Sequence, residues 1–277
     1  MHKKLKIFIG SGEASKIERK VLIYSLEKHS SCKLDIWVYN GTHNSVERNN
    51  EKPFLAPLSL DLKYRSVTEF SLFRYLIPEL CGFDGLAVYL DSDMVCLGDI
   101  TELFDAKTDG YDFLAVSRGY DKGHWASSVM LINCNQCRFD MNRYYKDIDQ
   151  NKYSYLDFSR FSPLFLSHHN FKIGLLDSHW NVFDRYDKCT KLIHYTKLRQ
   201  QPWKYAYHPY GNIWFEYFKN ARNEGYITNE DIQASISRSY VRSDILEGNH
   251  PALRIMREAV GSIKSYCASF LRFIGWD

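Results

Sequence analysis

Two aspartates one residue apart, Asp91 and Asp93, close the apolar run Ala87-Val88-Tyr89-Leu90. Carboxylates at i and i+2 converge on one hard cation where the chain bends just past a buried strand; left bare, they repel each other. A divalent cation held this way keeps positions open for two phosphate oxygens, and it neutralises a diphosphate as a sugar–phosphate bond breaks. Asp-x-Asp alone is common in solvated loops. The apolar strand in front of it is what gives it weight here.

The same order, strand then Asp-Ser-Asp-Met-Val, also opens the haloacid-dehalogenase-type phosphatases, whose first Asp is a nucleophile. Those enzymes carry the motif near the N-terminus and need a later Lys and a further acidic pair behind another apolar strand. Here the motif begins at position 91, behind a complete β-α-β pattern, and no such pair follows it. A cation site is the better reading, with a phosphatase kept as the rival.

The elements that must position the pair follow from periodicity. Residues 6–10 form a short apolar run ending in Gly-Ser-Gly, a first strand and loop. Ile17, Val21, Leu22 and Leu26 recur at helical spacing over 15–29, with Ser15 as N-cap, and 34–39 is a second strand. This β-α-β opening predicts an α/β fold with a mainly parallel sheet flanked by helices. The polar stretch 43–52 reads as a surface loop and 68–80 as a helix with Pro78 near its end. Residues 85–90, 112–117, 127–134 and 191–196 read as further strands.

Composition narrows the function. A net charge of +3 excludes a general nucleic-acid binder, so any anion site is local. The aromatic share, 16%, fits either platforms that stack on sugars or large core residues. The N-terminal stretch does not read as a signal peptide, and no run approaches the roughly 18 apolar residues that span a bilayer. Seven cysteines, spread out with Cys134 and Cys137 as a lone CxxC, fit free thiols in a reducing cytoplasmic setting rather than a zinc site. Over 253–276 an apolar stripe runs beside Arg254, Arg257, Lys264 and Arg272. It reads as a helix that lies on an anionic membrane surface, at the inner face, or that packs on its own domain.

The run Ser66-Val67-Thr68-Glu69-Phe70-Ser71-Leu72-Phe73-Arg74-Tyr75-Leu76-Ile77-Pro78-Glu79-Leu80, followed by Tyr89-Leu90-Asp91-Ser92-Asp93-Met94-Val95, resembles the GT-A-fold glycosyltransferases of family 8. That family includes bacterial lipopolysaccharide galactosyl- and glucosyltransferases and glycogenin. Gly98-Asp99-Ile100-Thr101-Glu102-Leu103-Phe104, Leu192-Ile193-His194-Tyr195 and Pro202-Trp203 continue the likeness, which covers about 6–214. It implies a Rossmann-like GT-A domain, placed over 1–225; the C-terminal helical extension over 226–277 lies beyond the likeness and is read from periodicity alone. The likeness further implies sugar transfer, with retention of configuration, from a nucleotide-sugar, UDP-sugar favoured, to a glycan or lipid-linked acceptor in cell-surface polysaccharide synthesis.

Residue by residue, the resemblance makes Asp91, Asp93 and His194 the ligands of manganese or magnesium. It places Ile9, Gly10, Ser11 and Glu13 at the nucleoside, and Arg74 and Ser92 at the donor. Ser127, in Trp125-Ala126-Ser127-Ser128, matches the segment beside the donor sugar, and Asp177-Ser178-His179-Trp180-Asn181 matches a segment read as structural. Two positions depart from the family pattern. The acidic triplet that reads the donor sugar falls at Phe161-Ser162-Pro163, with Asp157 the nearest acid. The Lys before Pro-Trp is Gln201, which leaves Lys197 or Arg199 to reach the diphosphate. These departures keep open a second reading, a nucleotide-sugar-binding protein that has lost turnover.

Overall fold

A computed structural model describes residues 5–56, 68–117 and 124–250. The strands are β1 (Leu5–Ser11), β2 (Leu34–Asn40), β3 (Ser45–Arg48), β4 (Phe54–Leu55), β5 (Leu86–Asp91), β6 (Met94–Cys96), β7 (Phe113–Ser117), β8 (Trp125–Asn133), β9 (Ile173–Leu175), β10 (Val182–Phe183) and β11 (Leu192–His194). The helices are α1 (Lys16–His29), α2 (Ile77–Leu80), α3 (Met141–Asp149), α4 (Tyr155–Ser159), α5 (Pro163–His168), α6 (Gly211–Asn223) and α7 (Asn229–Ser237). The chain divides into two compact units, Met1–His194 and Tyr195–Asp277.

In the first unit eight strands form one sheet in the order β4-β3-β2-β1-β5-β8-β7-β9. The centre is parallel, β2 and β5 both running alongside β1, whereas β8 enters antiparallel to β5. Each central strand is apolar on both faces, as a doubly covered sheet requires. Ile7, Ile9, Val88 and Leu90 point to one face, with Leu22 and Leu26 of α1. Phe8, Ala87 and Tyr89 point to the other, with Phe73, Tyr75 and Ile77. Strand alternation therefore sends Asp91 to the Tyr89 face, beyond the last buried residue.

The register aligns the functional ends. Gly10 pairs with Asp91 and Ser11 with Asn40, so three parallel strands finish at one edge. Ligands of open α/β sheets bind outside such carboxyl ends. A small second sheet, β10-β11-β6, continues from β5 after a bend at Ser92 and Asp93. In it His194 pairs with Met94.

Three details differ from the sequence reading, and a fourth is decided between the alternatives it left open. Ser15 ends a one-turn 3-10 segment and makes no side-chain cap to α1. The polar stretch after residue 43 contains β3, which pairs back on β2. Asn44 adopts φ 47° at that reversal, a conformation Asn tolerates, and Val46 is the one buried residue, leaving little hydrophobic signal to read. The span 68–80 is not one helix but turns, a 3-10 turn at Phe73–Leu76 and the single turn α2. Pro78 has no N–H to give and sits in the first turn of α2, where none is needed. The aromatic surplus is core. Tyr75, Phe113, Phe139, Tyr144, Phe158, Phe161, Phe165 and Phe171 pack ring to ring under α3, α4 and α5; Tyr75 and Phe158 stack at 4.7 Å, for example.

In the second unit Trp203 and Trp214 are fully buried with ring centroids 5.4 Å apart, and Phe218 stacks on Trp214. The Pro-Trp pair of the sequence motif thus anchors the core of this unit. Ser66, Val67 and the basic amphipathic stretch 253–276 lie outside the described residues. Among the described residues, no helix is long and apolar enough to cross a membrane.

Candidate functional site

At the carboxyl edge of the central sheet, Asp91, Asp93 and His194 each place a ligand atom within 4.8 Å of the other two. Donors about 2.1 Å from a common cation stand at most about 4.2 Å apart, so closing this triad on an ion takes only small side-chain adjustments. The donor set is two carboxylate oxygens and one imidazole nitrogen, suited to manganese and to magnesium completed by water. The residues fit the ion that the sequence pattern implies.

Asp91 ends β5, half-buried, and Tyr89 donates its hydroxyl to Asp91 Oδ1 at 2.6 Å. The sequence pattern gives Tyr89 no role of its own. The signal lay in strand alternation, since residues two apart share a face. Burial pushes the Asp91 carboxyl above the usual carboxylate range; Arg74 opposes this and the like charge of Asp93 adds to it. Asp93 Oδ1 lies 2.9 Å from His194 Nε2. Burial lowers the proton affinity of His194, but Asp93, Asp91 and Asp184 together outweigh it and the net shift is upward. The other ring nitrogen, Nδ1, lies 3.1 Å from Asn181 Oδ1 and 3.3 Å from Ser128 Oγ. Sequence reading gave neither of these two residues a role beside His194. No local pattern links residues 53 apart, and β8 and β10 bring them together.

Arg74 is buried beneath this cluster. Its Nε donates to Ser71 O at 2.8 Å and its Nη1 to Ser127 O at 2.6 Å, with Ser127 Oγ also in contact. The guanidinium lies over the Tyr89 ring, and Nη2 is 3.8 Å from Asp91 Oδ1. Arg74 and Ser127 therefore support each other and the strand ends; Nη2 is the part of the fork that faces the carboxylates. Ser92 is buried at the bend between the two acids.

The strand end at 9–13 adjoins the site through register. The side chain of Ile9 belongs to the core, leaving its backbone at the edge. A Cβ on Gly10 would come within 2.5 Å of the Tyr89 hydroxyl and 2.7 Å of the Phe70 ring, so only glycine fits there. Ser11 is fully buried and accepts from Arg19 Nη1 at 3.3 Å. Glu13 accepts from Asn40 Nδ2 at 2.7 Å, joining the ends of β1 and β2.

Lys197 and Arg199 belong to the second unit, where both are exposed. Gln201, at the position of the family lysine, is buried there and donates its amide to Tyr195 O at 3.0 Å. Asp157 is taken up locally. Its Oδ2 accepts from Ser154 in a capping box and its Oδ1 from Ser162 Oγ at 2.7 Å, so it serves α4 and α5.

The family model for glycosyl transferase family 8 matches residues 20–240. Protein CDI of Arabidopsis thaliana is 25% identical over 228 residues, covering 67% of this chain and 84% of that protein. The solved structure of galactosyltransferase LgtC in complex with donor and acceptor sugar analogs superposes with a TM-score of 0.57 at 14% identity, over 83% of this chain and 99% of that one. Glycosyltransferase GlyE of Streptococcus pneumoniae TIGR4 superposes with a TM-score of 0.55 at 18% identity, over 80% of this chain. This chain spans 63% of the GlyE chain, less than two thirds. At these identities the structural likeness is one of fold, and that fold is GT-A.

Proposed function

Because the chain belongs to glycosyl transferase family 8, we propose that it moves a sugar from a nucleotide-sugar donor, a UDP-sugar by preference, to a glycan or lipid-linked acceptor, using manganese or magnesium held by Asp91, Asp93 and His194. The observation that carries this reading is the approach of His194 Nε2, at the end of β11, to Asp93 Oδ1, in the bend after β5, at 2.9 Å beside the Asp91 carboxylate. The bound ion supplies Lewis-acid charge that offsets the negative charge growing on the leaving diphosphate.

The chain's own groups bind and orient. The backbone at Ile9, Gly10 and Ser11 and the side chain of Glu13 offer an edge for the nucleoside at the ends of β1 and β2. Arg74 holds Ser127 in place beside the donor sugar and keeps one face of its fork toward the carboxylates. Ser92 sets the bend that separates the two acids. The family's retention of configuration suits a front-face route here, in which the leaving diphosphate oxygen takes the acceptor's proton. Positioning and electrostatics then make up the chain's contribution. The transferase domain spans 1–225, and the extension 226–277 carries the basic stripe that holds the enzyme at an anionic cytoplasmic membrane face, near a surface-polysaccharide acceptor.

Incubation with manganese and a panel of nucleotide sugars tests the reading. Sugar transfer or slow donor hydrolysis that stops on chelation supports it. Donor binding without turnover favours the weakened binder suggested by Gln201 and the Phe161-Ser162-Pro163 stretch. Release of inorganic phosphate from phosphomonoesters overturns it in favour of a hydrolase.

A further inference from the structure

His194 is held from behind. Asn181 is almost fully buried and Ser128 is buried beside it, and both reach the ring's Nδ1. The Asn181 amide has two ends, and its neighbours decide which is which. Nδ2 lies 2.9 Å from Ser128 Oγ and 3.5 Å from Ala126 O. A backbone carbonyl only accepts, so the end that faces Ala126 must be the NH2 group. Reversing the amide would set two carbonyl oxygens against each other in a buried space, at the cost of an unsatisfied acceptor. Oδ1 is then the atom 3.1 Å from His194 Nδ1, and it can only accept. The Nδ1 nitrogen must carry the proton.

We propose that Asn181 and Ser128 are positioning residues that fix His194 as its Nδ1–H tautomer and so present a bare Nε2 lone pair to the space between Asp93 and Asp91. The inference rests on the reading of His194 as a metal ligand. It goes beyond it by naming the residues that make the imidazole a ligand rather than a hydrogen-bond donor to Asp93. A metal-bound histidine ordinarily gives its second N–H to an oxygen acceptor, which fixes the ring and raises its basicity. Here a neutral amide does this, steadied in turn by a hydroxyl and a main-chain carbonyl. Asn181 comes from the segment before β10 and Ser128 from β8, so closure of the small sheet on the large one sets the ligand's protonation pattern.

Two measurements test this. Manganese affinity, read by calorimetry on full-length protein without donor, should fall about 10- to 100-fold in Asn181→Ala, the usual range for loss of such a partner. Ser128→Ala should weaken it less, because Asn181 Oδ1 keeps its place 3.1 Å from Nδ1. In a His194→Ala background, Asn181→Ala should add nothing. Equal manganese affinity in wild type and a folded Asn181→Ala overturns the proposal. The second measurement needs no variant: nitrogen NMR of wild type saturated with magnesium should show Nδ1 protonated and Nε2 without a proton, whereas in the metal-free protein Asp93, 2.9 Å away, competes for a proton on Nε2. The opposite tautomer overturns the proposal. If wild type binds neither manganese nor magnesium, the metal reading fails; if wild type binds and a folded Asn181→Ala binds equally well, this proposal alone fails.

Discussion

Replacing Arg74 by Met keeps most of the stem volume and removes the fork, and the structure fixes what that costs. Two main-chain carbonyls, Ser71 O and Ser127 O, lose a charged donor at 2.8 and 2.6 Å. Hydrogen bonds to charged groups contribute roughly 1.5 kcal/mol each, which gives a loss of about 3 kcal/mol. Removing a buried cation also relieves its own desolvation, which trims that figure. A second effect has a definite sign. Arg74 holds down the proton affinity of Asp91, which burial and Asp93 already raise. Without Arg74 the carboxyl titrates higher still. An acid whose folded pKa lies above its unfolded one contributes a penalty that is absent below the unfolded pKa and grows as pH rises to the folded pKa. The destabilisation should therefore be larger at pH 8 than at pH 5. Urea unfolding of the metal-free protein reads both effects, and with an m-value of about 1–3 kcal/mol/M the midpoint should fall by on the order of 1 M or more at pH 8. An unchanged midpoint would show that Arg74 serves bound donor alone. An equal loss at both pH values would sever the link to Asp91.

Three further outcomes follow from the same cluster. Asp91→Asn and Asp93→Ala should each abolish transfer; Asp91→Asn should leave the metal-free protein as stable as wild type or slightly more so, because it removes one of two repelling carboxylates, whereas Asp93→Ala should also lose the low-pH contribution of His194; wild-type turnover in either would contradict the ligand assignment. The upward shifts of His194 and Asp91 act in one direction. The His194 contribution is full below its unfolded pKa and lost as pH rises through the folded one, while the Asp91 penalty grows with pH. The metal-free melting temperature should thus fall between pH 6 and pH 8. Manganese affinity should instead rise, by up to about tenfold per unit while His194 is still protonated; a pH-independent affinity would remove His194 from the site. Gly10→Ala should cost about 1–3 kcal/mol by overpacking against Tyr89 and Phe70 and should weaken manganese binding as the Tyr89–Asp91 contact shifts. Matching urea midpoints for variant and wild type would show that the two rings yield freely.

The sequence by itself determined the central strands, the amphipathic α1 and the placement of Asp91-Ser92-Asp93 at a strand end, because apolar runs and helical periods are local properties of the chain. The motif order determined the family, and with it the expectation that a histidine 101 residues beyond Asp93 would join the acids. Tertiary structure alone decided the rest. Whether Arg74 faced substrate or protein depended on Ser127, brought to it by the antiparallel entry of β8. That Asp157 is a cap, that the aromatic surplus is core, and that Asn181 and Ser128 stand behind His194 depend on contacts between distant segments. A side chain's protonation and donor direction are set by whichever groups surround it in space, and one-dimensional spacing carries no record of those neighbours.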